Sequence, residues 1–223
     1  MERKFPWTAL TTAAAGAATL AAVDLALRPW FLNWGATDAE IGKALPGDDL
    51  CPGARSTATR AMTIHAPAEE VWRWIAQIGQ DRGGFYSYTW LENLVGARMR
   101  NASHIIPKLP ALTLGDSVWM TPQSRYGGRG RAKVAMIEPN RYLVLVSLEG
   151  FAALARAGHT EDGAWAFILE PLDDHTTRLI IRSHSGPDAG AHRFLFFDPI
   201  HFIMERKMML GIRDRAEAHA KAA

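Results

Sequence analysis

The longest regular pattern of apolar and polar positions lies at the end of the chain. Projected at about 100° per residue, the stretch from Phe194 to Ala220 gathers Arg206, Lys207, Arg213, Asp214 and Glu217 on one arc. Ile200, Met204, Met208, Met209 and Ile212 fall on the other. Asp198 followed by Pro199 supplies a helix start, an acceptor for the first orphan N–H groups and then a residue that needs no N–H there. The stretch predicts one long helix with a methionine-rich face. His201 and Glu205, four apart, break the pattern because both fall inside the apolar arc.

Upstream, the segment from Thr59 to His65 alternates as a strand does, with Met62 and Ile64 on one side and Thr63 and His65 on the other. Pro67, Glu69 and Glu70 open a helix that Gly79 closes, with Val71, Trp74, Ile75 and Ile78 as its buried stripe. Thr89 and Glu92 fit a capping box for a second helix running to about Val95. Further strands are predicted at 116–121, 131–138, 141–149, 164–171 and 176–184, with turn residues at 138–141 and 172–175. Short consecutive strands with tight turns favour an antiparallel meander, so the class is α+β. The segment from Tyr142 to Leu148 is apolar on both sides, and its pattern does not say which face meets the core.

The start of the chain reads differently. Arg3 and Lys4 precede an uncharged run from Phe5 to Val23, followed by Asp24 and a second apolar patch ending at Arg28 and Pro29. As a helix the run is about 28 Å long, close to a bilayer core. The expectation is a single-pass N-terminal membrane anchor over residues 5–28, with membrane localisation. The run is rich in alanine, glycine and threonine, so two alternatives stand beside it. One is a helix packed on the domain of a cytoplasmic protein. The other is a secretory signal cleaved at a small-residue site such as Ala15-Gly16-Ala17. Residues 30–57 read as a linker or cover with one short helix from Asp38 to Ala44, capped by Thr37 or Asp38 and stopped by Pro46-Gly47. Trp30, Phe31 and Trp34 are too apolar for a free linker; they rest at a membrane surface or cover the domain. The chain thus divides into 1–29, 30–57 and a folded domain over 58–223.

Composition narrows the chemistry. With 48% hydrophobic residues among 223, the chain can bury one substantial core. A net charge of +2 gives no strong field for nucleic acid. The basic cluster of Arg125, Arg129, Arg131 and Lys133 lacks interleaved aromatics, so no nucleic-acid partner is expected. The single Cys51 excludes an internal disulfide and a cysteine zinc cluster. No nucleotide fingerprint or nucleophile elbow is present, and no cofactor is expected. His201 and Glu205 have helical metal-ligand spacing, but the third ligand of a zinc site is missing and no metal is expected.

The element order, together with Ile64-His65-Ala66-Pro67-Ala68-Glu69-Glu70-Val71-Trp72 at the first strand-to-helix junction, resembles the START-like superfamily known as SRPBCC, which includes polyketide cyclase/dehydrases and lipid carriers. The likeness is closest to a group of uncharacterised bacterial SRPBCC proteins. It rests on Arg28-Pro29-Trp30, Trp34-Gly35-Ala36-Thr37, residues 83–88 (Gly-Gly-Phe-Tyr-Ser-Tyr), residues 90–93 (Trp-Leu-Glu-Asn) and residues 199–207, and spans about residues 28–217. The resemblance implies a helix-grip fold, a curved antiparallel sheet around the C-terminal helix with a cavity for an apolar molecule between them. Six strands are read where the superfamily usually has seven, so one is hidden between Arg98 and Ile106 or the sheet is shorter. Fold alone leaves function open.

His201 and Glu205 are the sharpest candidates for acid/base chemistry, with Tyr86 or Tyr88 as oxyanion donor. The competing reading pairs Glu205 with a sheet arginine, Arg60 or Arg182. The candidate ligand-binding set is Tyr86, Tyr88, Trp90, Asn93, His201, Met204, Glu205, Met208 and Ile212. Glu92 either joins it or only caps its helix. The expected function is binding or transport of a hydrophobic or amphipathic, lipid- or polyketide-like molecule. The alternatives are a cyclase/dehydrase-like enzyme using the same cavity, and a membrane-tethered module that recruits a partner through Trp30, Phe31 and Trp34.

Overall fold

Successive residues of a strand project to opposite faces of a sheet, and in this protein both faces are covered. The computed structural model describes residues 22, 26–54, 56–186 and 197–222. Six strands, β1 (Ser56–Ile64), β2 (Ser117–Trp119), β3 (Arg131–Glu138), β4 (Tyr142–Ser147), β5 (Ala164–Asp173) and β6 (Thr176–Ser185), form one antiparallel sheet in the order β1-β6-β5-β4-β3-β2. The helices are α1 (Asp38–Gly42), α2 (Ala68–Ile75), α3 (Thr89–Leu94), α4 (Leu148–Ala157) and the long α5 (Asp198–Ala222). The sheet curves around α5, the helix-grip arrangement. The stretch from Arg98 to Ile106 contains no strand, so the sheet is the shorter, six-stranded form.

On the inner face Met62, Ile64, Val134, Leu143, Leu145, Phe167, Leu169, Leu179 and Ile181 pack with Val71, Trp74 and Ile75 of α2 and with Met208, Met209, Ile212 and Ala216 of α5. On the outer face Ala61, Val144, Val146, Ala166, Ile168 and Ile180 form a second core with Leu45 and Cys51 of the covering segment and Phe151 and Leu154 of α4. That division explains β4. Leu143 and Leu145 belong to one core and Val144 and Val146 to the other, so a strand apolar on both sides is what this double burial requires. The predicted strand at 141–149 ends at Ser147, whose side chain accepts from Gly150 N and starts α4, a helix that the pattern of the sequence does not predict; Gly158 in the left-handed region ends it.

The outer cover is held electrostatically. Arg178 of β6 donates to Glu40 at 2.6 and 3.0 Å and to the carbonyl of Gly35 at 2.6 Å. Arg182 reaches Asp48 at 2.6 Å and the carbonyls of Glu40, Ile41 and Lys43. The Arg178 hydrogen bond, with help from Thr37, holds the Glu40 carboxyl down at about 2. Thr37 and Glu40 form a reciprocal capping box, so Thr37 is the cap of α1. Next to it, the N–H of Ala61 donates to the carbonyl of Trp34. Gly35, at φ +73°, passes so close that a Cβ would sit 2.1 Å from the Ala61 carbonyl oxygen.

The N-terminal expectation is corrected. Among the described residues no helix is long and apolar enough to cross a membrane, which overturns the single-pass anchor over residues 5–28, the membrane association built on it and the membrane localisation. Most of that run lies outside the described residues. The helical stretch 26–32, which begins inside the run, and Trp34 of the cover segment pack on α5. Arg28 Nη2 lies 2.9 Å from Asp198 Oδ2, and Trp30, Phe31 and Trp34 surround the ring of Phe202 at centroid distances of 5.2, 5.9 and 6.3 Å. Phe31 is buried and Trp30 remains more than half exposed. Of the predicted apolar arc of α5, Met208, Met209 and Ile212 are buried, whereas Ile200 is exposed.

One contact sets how close α5 lies to the loop between α2 and α3. Gly211 faces Tyr86, and a Cβ there would meet the Tyr86 carbonyl oxygen at 2.5 Å and its Cβ at 2.8 Å. In an isolated helix Ala is favoured over Gly by about 1 kcal/mol. Here the order reverses, because overpacking of this kind costs about 1–3 kcal/mol and forces the two segments apart. Gly211→Ala is therefore expected to lower the thermal unfolding midpoint, and an unchanged or raised midpoint would remove this account.

Candidate ligand-binding site

Between the sheet, α3 and the first half of α5 lies a cavity of about 270 Å³. α5 contributes His201, Met204, Glu205 and Met208; the segment from Phe85 to Met99 contributes Phe85, Ser87, Glu92, Val95, Ala97 and Met99. Met120 and Thr121 come just after β2, and Trp165 comes from β5. Four methionines line it, side chains that adapt to ligands of irregular shape. A wider groove sharing Met120, Trp165 and His201 adjoins it.

The loop before α3 is pinned so that this wall holds its shape. Asn101 accepts from Tyr86 N at 2.8 Å and donates to Ser87 O at 2.9 Å. Ser87 Oγ donates to the Met204 carbonyl at 2.7 Å, joining the loop to α5. Arg82 ties the same region together through the carbonyls of Ala76 and Pro110.

Glu205 is buried beside an arginine. Arg60 Nη1 lies 3.0 Å from Glu205 Oε1, with both side chains only 1% accessible. Arg60 Nε donates to the Phe31 carbonyl at 2.7 Å, and its guanidinium stands 5.3 Å from the centre of the Phe202 ring. His201 Nε2 and Ser183 Oγ each lie 3.5 Å from Glu205 Oε2. His201 also stacks on Phe197 and meets the edge of Trp165. Of the two arginines considered from the sequence, Arg60 is the partner; Arg182 serves the outer cover.

The remaining predicted residues divide. Met204 and Met208 line the cavity, whereas Ile212 is buried in the inner core. Tyr86 lies in that core with φ +57°, its hydroxyl donating to the Trp74 carbonyl at 3.1 Å, and burial pushes its phenol up to about 12. Tyr88 is exposed beneath Lys207, Trp90 is exposed, and Asn93 exchanges hydrogen bonds with the backbone of Met99. None of these four lines the cavity. Cys51 lies in the outer core, where burial pushes its thiol up to about 11.

The residue that sequence reasoning undervalued is Glu92. Its capping box does not form, since α3 starts from Tyr88 with no side-chain cap. The carboxyl turns instead toward the apolar cavity, where Oε2 is buried with no hydrogen-bond partner among the described residues, and burial pushes its pKa up to about 7. Thr121 and Trp165 also line the cavity, and Thr121 Oγ1 and Trp165 Nε1 are buried without a hydrogen-bond partner among the described residues. Only the 90–93 motif pointed to Glu92; nothing in the pattern signalled Thr121 or Trp165.

No family model and no curated protein matches the chain. Among solved structures it is similar to CalC, a self-sacrificing resistance protein of Micromonospora echinospora, with 10% identity over 75% of this chain and 97% of that one and a TM-score of 0.46. It is also similar to a polyketide-cyclase-like protein of Corynebacterium glutamicum, with 19% identity over 74% and 90% of the two chains and a TM-score of 0.33. A third is the Aha1 dimer of Colwellia psychrerythraea, with 14% identity over 73% and 96% and a TM-score of 0.42.

The two buried carboxylates each give an expectation. Removing one partner of the buried pair, as in Arg60→Met, leaves Glu205 uncompensated and should cost about 3–5 kcal/mol in urea unfolding, while the double variant Arg60→Met/Glu205→Leu should recover most of it. For Glu92, a folded pKa near 7 lies above its ordinary 4.5, so the proton it binds stabilises the fold below about pH 4.5 and that contribution is lost as pH rises through 7. Glu92→Gln should match wild type in stability at about pH 4.5 and exceed it increasingly up to about pH 7, then hold a constant advantage. A gap that does not vary with pH would contradict this assignment.

Proposed function

We propose that this chain binds, and presents or carries, a hydrophobic or amphipathic small molecule in the cavity between its sheet and α5, as one of the bacterial SRPBCC proteins whose motifs it carries. The observation that supports this reading is an apolar cavity of about 270 Å³ lined by four methionines. Ligand sites are mostly apolar, with a small number of placed polar groups that fix orientation. Its volume lies just under the usual range of about 300–1,000 Å³, which favours a compact molecule or a single chain over a two-chain lipid.

An enzymatic reading is favoured by one observation, the burial of Glu92 with a pKa near 7, where a carboxyl can both take and give a proton. Glu205 is the weaker acid/base candidate, because Arg60 offsets its charge. The recruitment surface imagined at Trp30, Phe31 and Trp34 retains only Trp30 as a strongly exposed member.

Native mass spectrometry of the full-length protein, purified without detergent and then offered the neutral dye Nile red, tests the binding reading. A reproducible adduct or dye complex that is lost on denaturation is expected. Ala97→Phe, which fills the cavity, should abolish it, and Trp90→Ala, on the exposed face of α3, should leave it intact. Absence of both adduct and dye binding in the folded wild type, or dye binding that Ala97→Phe leaves untouched, would overturn the reading.

A further inference from the structure

Two spaces meet at three residues. The cavity, of about 270 Å³, and the adjoining groove, of about 440 Å³, share Met120, Trp165 and His201 and no other lining residue. Their surfaces differ. The accessible wall of the cavity is almost wholly apolar, so a polar end of a ligand placed there would give up its water without a partner. The groove carries more polar surface, and Ser147, Asp162 and Ser183 are among its lining residues. The meeting point has a fixed side and a yielding one. Trp165 is packed against Phe85 and Phe167 at centroid distances of 6.0 and 4.7 Å. His201 stands against Trp165 and lies 3.5 Å from Glu205, which Arg60 holds in place. Met120 is unbranched and 36% exposed, so it is the side that can give way to a ligand. The cavity alone lies just under the usual size of a small-molecule site, about 300–1,000 Å³, and the groove brings the whole inside that range.

We propose that the two spaces hold one molecule, a single-chain amphiphile. The apolar end of its chain fills the cavity, the chain passes between Met120 and the pair Trp165 and His201, and its polar end lies in the groove. This rests on the cavity-binding reading above. It adds the length of the ligand, its direction and the residues that divide it.

Displacement of Nile red from the folded full-length protein by a series of straight-chain 1-alkanols, from hexanol to tetradecanol, tests this. In wild type affinity should rise by about fourfold per methylene through the whole series. In Met120→Trp, which closes the passage, and in Ser183→Phe, which fills the groove alone, hexanol should bind within about threefold of wild type while the rise stops at a shorter chain. Ala97→Phe, within the cavity, should weaken every member. The diol with a hydroxyl at each end of the dodecyl chain should bind about tenfold or more weakly than dodecanol, because its second hydroxyl enters the apolar cavity. A rise that stops at the same chain length in wild type and Met120→Trp, tetradecanol binding untouched by Ser183→Phe or by Ala97→Phe, or a diol as tight as the alcohol would each overturn the two-space assignment. Failure of the dye and all the alkanols to bind folded wild type would overturn the cavity reading itself.

Discussion

The contact between Arg60 and Glu205 joins three parts of this molecule that lie far apart in sequence. Arg60 lies on the first strand, Glu205 on the last helix, and the same guanidinium reaches the carbonyl of Phe31 in the segment ahead of the sheet. Two charges withdrawn from water are tolerated only when each finds its partner and its remaining hydrogen bonds. Here the guanidinium has the carboxylate, a carbonyl and the face of Phe202; the carboxylate has the guanidinium, with Ser183 and His201 nearby. Methionine contacts are forgiving and would let α5 slide along the sheet. A buried ion pair is not, and so it fixes the register of the helix that forms one wall of the cavity.

That pairing also separates two carboxylates that look alike in the sequence. Glu205 spends its charge on the fold. Glu92 lines the apolar cavity with no hydrogen-bond partner for its Oε2 among the described residues, and burial raises its pKa. An unsatisfied buried polar group costs about 1–3 kcal/mol, and Thr121 and Trp165 add to the cost. Replacing all three by apolar residues of similar shape would make a more stable domain.

Much of the architecture was legible because it comes from period and punctuation. The sheet, α2 and the long helix each show a clear apolar stripe or bounded apolar runs, and Thr37 and Asp198 mark helix starts. Legibility failed where a side chain had two physically sound uses. Glu92 fits a capping box as well as a cavity wall, and only the packing of α3 decides between them. Tyr86 has the polar tip expected of a ligand contact, but that tip satisfies the Trp74 carbonyl inside the core. Ile200 belongs by period to the buried arc and is exposed, because the sheet grips α5 from the second turn onward. The helix α4 was hidden by the apolar run of β4, which passes into it with no glycine or proline between Tyr142 and Glu149. A hydrophobic N-terminal run invited a membrane reading; most of it lies outside the described residues, and Trp30, Phe31 and Trp34 of the segment that follows it cover Phe202. Trp165 and Thr121 acquire their role only by juxtaposition, which no local pattern records.

The strand order has a consequence for how the molecule comes into being. Among the described strands β1 pairs with β6 alone, with Ser56 opposite Ser185, so during synthesis the first strand waits as an open edge until nearly the whole sheet has left the ribosome. The ion pair that locks it cannot form until α5 is made. Non-local closure of this kind slows folding and lengthens the time for which an apolar edge is available to other chains. The chain segment around Phe31 and Trp34, made just before β1 and already able to bond to Ala61, is placed to shield that edge while its partner is still unmade.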